Sequence, residues 1–231
     1  LAIAQVWTMW LQCQLTSVPI FTIKSIPAFL LVDLSAEAQE EILEALNSIR
    51  RNVTPPASNM LKMKWSKKAS ENAKKWVSQC RFRNSPQEAR TTNFACGESL
   101  AQIKIAMSWS KVIATWISTK TYFKYGIGPT DPKKNIYTYT QIVWYNSHMV
   151  GCALAYCPQN TFSFMYACHF CPGGNNQEKI TTPYKEGPSC ADCPQHCEDK
   201  LCSKLLIISN NSSGYLVLIW ITHPTIAAIQ N

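Results

Sequence analysis

The sequence holds no uninterrupted apolar run of about 18 residues, the length a helix needs to cross a bilayer. The late apolar pieces, residues 205–208 and 215–221, are parted by Asn210, Asn211, Ser212, Ser213 and Gly214, so the tail is a weak span candidate. Residues 1–32 are rich in apolar side chains, densest from Leu1 to Leu11. No basic region precedes them, and they read as an incomplete secretion signal or a neighbouring segment. Acidic residues are scarce, 14 against 22 Lys and Arg in 231 residues, which leaves a formal charge of +8. Nucleic acid is not the expected partner of this excess, because no recognisable reading module accompanies it. An apolar share of 46% excludes a disordered chain.

Cysteine, by contrast, is abundant. Ten of the 11 cysteines fall between Cys80 and Cys202, and Cys13 stands alone. An even set of this density suits internal disulfides and an oxidising compartment better than buried thiols in a reducing one. A second reading of Cys190, Cys193, Cys197 and Cys202, with Asp192 and His196 among them, is structural zinc. The spacing argues against it, because no longer loop separates two ligand pairs.

Ser35 is placed to cap a helix whose apolar residues Ala38, Ile42, Leu43, Leu46 and Ile49 recur every three or four positions. Glu37, Glu40 and Glu41 suit its positive end and Arg50 and Arg51 its negative end, with Pro55 and Pro56 marking the exit. A second helix is predicted over residues 66–79 and a third over 108–121, the latter weakened late by Thr115, Ile117, Thr119 and Thr121. Residues 138–145, 150–157 and 162–170 are aromatic and β-branched and read as strands. Helices followed by antiparallel strands predict an α+β layered domain, and beyond Pro172 a loop-rich region leads to the last cysteines. Lys67, Lys68, Lys74 and Lys75 form the candidate contact for an anionic surface, although a merely solvated face fits them as well. Asn52, Asn210 and Asn211 each match the glycosylation acceptor pattern.

Several longer motifs then converge. Asn47–Trp65 reads NSIRRNVTPPASNMLKMKW, and it is followed in order by Cys96-Gly97-Glu98, by the segment from Tyr139 to Tyr145, by Gly151-Cys152 and by the segment from Cys168 to Asn175. With residues 190–202, these resemble the mammalian cysteine-rich secretory proteins of the CAP superfamily over about 170 residues. The resemblance implies a CAP-type α-β-α sandwich over residues 35–175, a cysteine-rich hinge over 176–202 and a divergent tail over 203–231, after a leader or uncertain extension over 1–34. It further implies the disulfides Cys80–Cys157, Cys96–Cys171, Cys152–Cys168, Cys190–Cys197 and Cys193–Cys202.

Family members usually present two histidines and two glutamates in a central cleft. Matched motif to motif, the histidine positions are Leu46 and Thr138, and the glutamate positions are Glu98 and Thr119. A lone carboxylate does not make a zinc site, so neither a metal nor any other cofactor is expected, and catalysis lacks a cooperating base and nucleophile. A contact of Glu98 with the hydroxyl of Thr138 or Thr119 would be structural, and His148, His169 and His196 are read as structural or surface residues. No cysteine follows Cys202, so the family's channel-regulating module is not expected in residues 203–231.

The resulting expectation is a secreted, non-enzymatic binding protein of the extracellular space. A sperm-surface or reproductive-tract setting is implied by the resemblance alone, and the partner would be a protein, a glycan or a membrane surface. One alternative is a sterol or lipid carrier using Tyr122, Phe123, Tyr125 and the loop from Gly126 to Gly128, residues that fit core and turn positions equally well. Another is a decayed or truncated family member without a stable role.

Overall fold

The computed structural model describes residues 30–203 and the backbone of two further strands, Ile207–Asn210 and Leu216–Ile219. Cys13, most of the expected leader and the side chains of Asn210 and Asn211 lie outside the described residues. In chain order the elements begin with β1 (Leu30–Val32), α1 (Ala36–Arg51), β2 (Lys64–Trp65), α2 (Lys67–Val77), α3 (Gln87–Arg90) and β3 (Gly97–Ile103). Then come α4 (Trp109–Ile117), β4 (Phe123–Lys124), β5 (Gly128–Pro129), α5 (Tyr137–Ile142), β6 (Met149–Tyr156) and β7 (Phe164–Cys171). Two short pairs follow, β8 (Cys197–Glu198) with β9 (Leu201–Cys202) and β10 (Ile207–Asn210) with β11 (Leu216–Ile219). No helix among the described residues is long and apolar enough to cross a membrane.

The central sheet runs β1-β6-β7-β3, and β2 adds to β6 in parallel. Alternation along β6 and β7 assigns each face its helices. Val150, Cys152, Leu154, Tyr166, Cys168 and Phe170 join the main core, which also holds Ile42 and Leu46 of α1, Val112, Ile113 and Trp116 of α4, and Tyr139 and Ile142 of α5. Ala153, Ala155, Met165 and Ala167 point the other way, beneath Ala73, Trp76 and Val77 of α2. The second face is built from small residues so that α2 lies close to the sheet. A Cβ on Gly151 would sit 2.1 Å from the Ser70 backbone nitrogen, so only glycine fits there. The result is an α-β-α sandwich.

Both long-helix starts follow from capping, since the Ser35 hydroxyl accepts the Ala38 N–H and the Ser66 hydroxyl accepts the Ala69 N–H. The late weakness predicted for α4 is visible as a change to a tighter 3-10 turn over Ser118–Tyr122. Residues 138–145 depart from expectation, because they carry the helix α5 rather than a strand. Tyr139 and Ile142 turn into the core with Val143, a three- and four-residue spacing that burial rewards over the β-propensity of the threonines. The strand β3, inserted between α2 and α4, also interleaves helices with strands where a simple succession was expected.

Arg50 lies in the last turn of α1, as expected, but its role there goes beyond the helix terminus. It is 1% exposed, and its guanidinium donates five hydrogen bonds of 2.7–2.9 Å to the carbonyls of Leu61, Ile142, Trp144 and Tyr145. Burial pulls its pKa down to about 9, which leaves it charged at neutral pH. Arg51 remains at the surface and pairs with Glu44 and with Asp199 of the C-terminal segment.

That segment is docked, not merely tethered. Cys202 N–H donates to Met60 O, Lys62 N–H to Cys202 O and Asp192 N–H to Ser58 O, while Leu201 enters the main core fully buried. Disulfides therefore share the work there with ordinary apolar packing. Cys80 is joined to Cys157, Cys96 to Cys171, Cys152 to Cys168, Cys190 to Cys197 and Cys193 to Cys202. The first two close separations of 77 and 75 residues, where cross-linking removes the most freedom from the unfolded chain.

Replacing Arg50 by Met, an unbranched side chain without donors, leaves the buried carbonyls of Leu61 and Ile142 without a donor and takes one of two donors from Trp144 O and Tyr145 O, and we expect a loss of roughly 3–5 kcal/mol in unfolding free energy by denaturant titration. Lys at this position keeps the charge but cannot fork across four acceptors, and is expected to recover only part of the loss.

Candidate binding cleft

A cleft of about 650 Å³ opens along the outer edge of β3. Gly97, Glu98, Ser99 and Leu100 form its floor. One wall comes from Phe82, Arg83, Asn84, Gln87 and Arg90, around α3, and the other from Asn135 and from Tyr137, Thr138 and Gln141 of α5, with Gly174 and Asn175. Gly97 is required by the close approach of α5, since a Cβ there would lie 1.9 Å from Gln141 Oε1. Amides dominate the walls and many hold the cleft itself in shape. Gln141 accepts from Gly174 N–H and donates to Ser147 Oγ, while Asn175 accepts from Thr140 Oγ1 and donates to Tyr137 O.

The four expected cleft positions separate. Glu98 and Thr138 line the cleft. Leu46 does not, because it points from α1 into the main core and is wholly buried. Nor does Thr119 contribute to the lining, and its hydroxyl donates to the carbonyl of Trp116 in the turn after α4. The side chain that meets Glu98 from the α3 wall is Asn84, whose amide donates at 3.2 Å.

Glu98 has a partner that sequence reasoning did not assign to it. The β3–β7 register sets Glu98 opposite His169, and His169 Nε2 lies 3.0 Å from Glu98 Oε1 with side-chain exposures of 0% and 1%. An ionised carboxylate only accepts, so the imidazole N–H donates to it, as does the Ser85 N–H at 2.8 Å. Burial raises the carboxyl pKa, but the hydrogen bonds from His169 and Ser85 outweigh it and leave the value below the ordinary carboxylate range. A strand pairing of two chemically matched residues was the missing signal, and it required the register.

This donor set does not fit a divalent metal. Its one carboxylate is turned into the protein and bound to His169, and Asn84 and Thr138 are poor ligands beside it. The C-terminal cysteines do not substitute. Cys190, Cys193 and Cys202 bring their sulfurs within 4.8 Å of one another, yet each sulfur is already oxidised into a disulfide.

A second, shallower groove of about 420 Å³ lies between α1 and α4, with Ala45, Ile49, Ile113 and Ile117 on its floor and Glu41 and Glu44 beside it. Phe123 and Tyr125, named for a possible lipid surface, pack instead against the core, where Phe123 meets Tyr139 and the Tyr125 hydroxyl donates to Tyr184 O. Asn52 is exposed at the end of α1, where its amide donates to Ser48 O.

Two outcomes follow from the cleft. The lowered pKa of Glu98 means that its ionised form stabilises the fold above its unfolded pKa of about 4.3, and that this contribution is lost as pH falls through the folded value. Glu98→Gln should therefore flatten the acid limb of a stability-against-pH curve measured by thermal unfolding. Calorimetric titration with zinc at neutral pH should show no stoichiometric site that depends on Glu98.

Comparison with known proteins places this geometry. The family described as "CAP: Cysteine-rich secretory protein family" matches residues 43–170. Cysteine-rich secretory protein 2 of Cavia porcellus is 43% identical over 198 residues, covering 85% of this chain and 79% of the relative. Cysteine-rich secretory protein 3 of Homo sapiens is 44% identical over 179 residues, covering 77% of this chain and 73% of the relative. The solved structure of Na-ASP-1 shares the fold with a TM-score of 0.63 at 22% identity, over 74% of this chain and 48% of that one. NaASP2 with Zn2+ follows at 0.61 and 22%, over 74% of this chain and 97% of that one. With its sandwich, its cysteine framework and a cleft whose metal-binding set is incomplete, the chain belongs to the cysteine-rich secretory protein family of the CAP superfamily, whose members are characteristically secreted and generally non-catalytic.

Proposed function

We propose that the protein acts outside the cell as a non-enzymatic binding protein that recognises an anionic surface, a glycan or an acidic membrane, through the outer face of α2. The observation that carries this reading is the state of the lysines. Lys67, Lys68 and Lys75 are exposed and have no ion pair among the described residues, whereas Lys74 is neutralised in part by Asp33. They sit on a helix whose opposite face is clamped to the sheet through Ala69, Ala73 and Val77, so the charges are presented on a rigid support. A sperm-surface or reproductive-tract setting rests on the family resemblance alone.

A lipid-carrying role is the second reading, and the apolar floor of the α1–α4 groove favours that site over the Tyr122–Gly128 loop. The closed disulfide set and continuous core support a folded product over a decayed one.

Binding to immobilised heparin and to phosphatidylserine vesicles, measured across a salt series, tests the reading. We expect charge reversal at Lys67, Lys68 and Lys75 to weaken retention by about tenfold or more and to flatten the salt dependence. Binding insensitive to these changes, together with saturable uptake of a fluorescent sterol, would favour the carrier.

A further inference from the structure

Beyond the lysine face, the position of the cleft on the sheet suggests a different kind of partner. β3 ends the strand order, and among the described residues nothing pairs with its outer edge. Two carbonyls show where that edge points. Cys96 O accepts from Gln87 Nε2 and Arg90 Nε, and Leu100 O accepts from Trp116 Nε1. Both are turned away from β7 and both are capped by side chains. In an antiparallel ladder, backbone groups on one side recur at every second residue, so Glu98 N–H, Glu98 C=O and Leu100 N–H face the same way as these carbonyls. The capped carbonyls thus bracket an uncapped stretch about 13 Å long, the span of about four extended residues. It lies on the floor of a cleft of about 650 Å³.

Proteins usually blunt an open strand edge. Here side chains stop it at both ends and leave the middle accessible within walls. The walls also select. Phe82 and Tyr137 stand on opposite sides, 55% and 45% exposed, positioned to meet the alternate side chains of an added strand. Arg83 is exposed at the wall with its guanidinium over the Trp76 ring, while the one acid of the floor is turned away towards His169. The charge left facing a ligand is positive.

We propose that the cleft binds an extended, acidic peptide segment of another protein, which adds as a strand to the outer edge of β3. Main-chain pairing to Glu98 and Leu100 supplies the affinity, Tyr137 meets the apolar side chains on one face of the added strand, and Arg83 on the opposite wall meets the carboxylates on the other.

The test uses the full disulfide-bonded chain and a fluorescent, end-capped (Val-Glu)3 hexapeptide. We expect saturable anisotropy, slowed hydrogen exchange at the Glu98 and Leu100 amides, and at least about tenfold weaker binding when alternate peptide amides are N-methylated. Arg83→Glu should weaken the acidic peptide by about tenfold and should not weaken a (Val-Lys)3 peptide. Charge reversal at Lys67, Lys68 and Lys75 should leave the slowed exchange at Glu98 and Leu100 and the loss on N-methylation in place, which separates this site from the α2 face. The proposal is overturned by absence of saturable binding, by equal binding of the N-methylated peptide, by protection that maps to α2 or to the α1–α4 groove, or by self-association through β3 in place of peptide binding.

Discussion

The buried guanidinium of Arg50 is the contact on which the rest of the architecture depends. A charge removed from water is costly unless polar groups replace the lost hydration, and here four backbone carbonyls from two distant segments do so. One of them belongs to the segment after α1, and three lie at or just beyond the end of α5. Ile142 O sits where a helix leaves acceptors unpaired, while Trp144 O and Tyr145 O also accept from Ser147 N–H and Leu61 N–H, so one side chain meets two requirements at once: it is solvated by the protein, and it satisfies a helix terminus. Asn47 extends the arrangement one turn earlier, its amide donating to Met63 O and accepting from Met63 N–H. The chain between α1 and α2 is thereby held in a defined path, and the C-terminal cysteine segment docks on that path at Met60 and Lys62.

From this anchor the position of the cleft follows. Fixing α5 against α1 brings Gln141 to Gly97 and places the α5 wall beside the edge of β3. Cys96–Cys171 ties the start of β3 to the end of β7, close to the glycines that line the cleft. The opposite wall, around α3, is held by Arg90, which donates to carbonyls of Ser85 and Cys96 and so spends its donors on structure. Among the described residues Arg83 has no comparable set of acceptors, which leaves it a cation of the wall available to a partner.

The pairing of Glu98 with His169 changes the chemistry of the cleft more than the loss of family ligands alone. A carboxylate left in a cleft without its companions would remain open to a cation. Drawn down to an imidazole on the neighbouring strand, it becomes part of the sheet and gives the floor a backbone surface. The family scaffold is kept, and what it offers is altered from a charged metal-type site to a polar groove with an open strand edge.

Much of this was legible from residue order. A serine cap and three- and four-residue apolar spacing located α1, and helical patterning alone located α2, because such signals are local and act within one or two turns. The abundance of cysteine pointed to an oxidising compartment, and a series of motifs identified the family. What sequence could not decide was wherever a residue's role depends on a distant partner. Threonine-rich α5 resembled a strand until the core selected its helical face, Arg50 read only as a charge suited to a helix end until carbonyls 11 and 92 or more residues away surrounded it, and Leu46 was matched to a cleft from which its helix turns it away. Glu98 and His169, 71 residues apart, became neighbours only through strand register. Periodicity and composition determine which face of an element is apolar; tertiary packing alone determines what each buried polar group finds opposite it, because the cost of leaving it unpaired is settled only when the whole chain has closed around it.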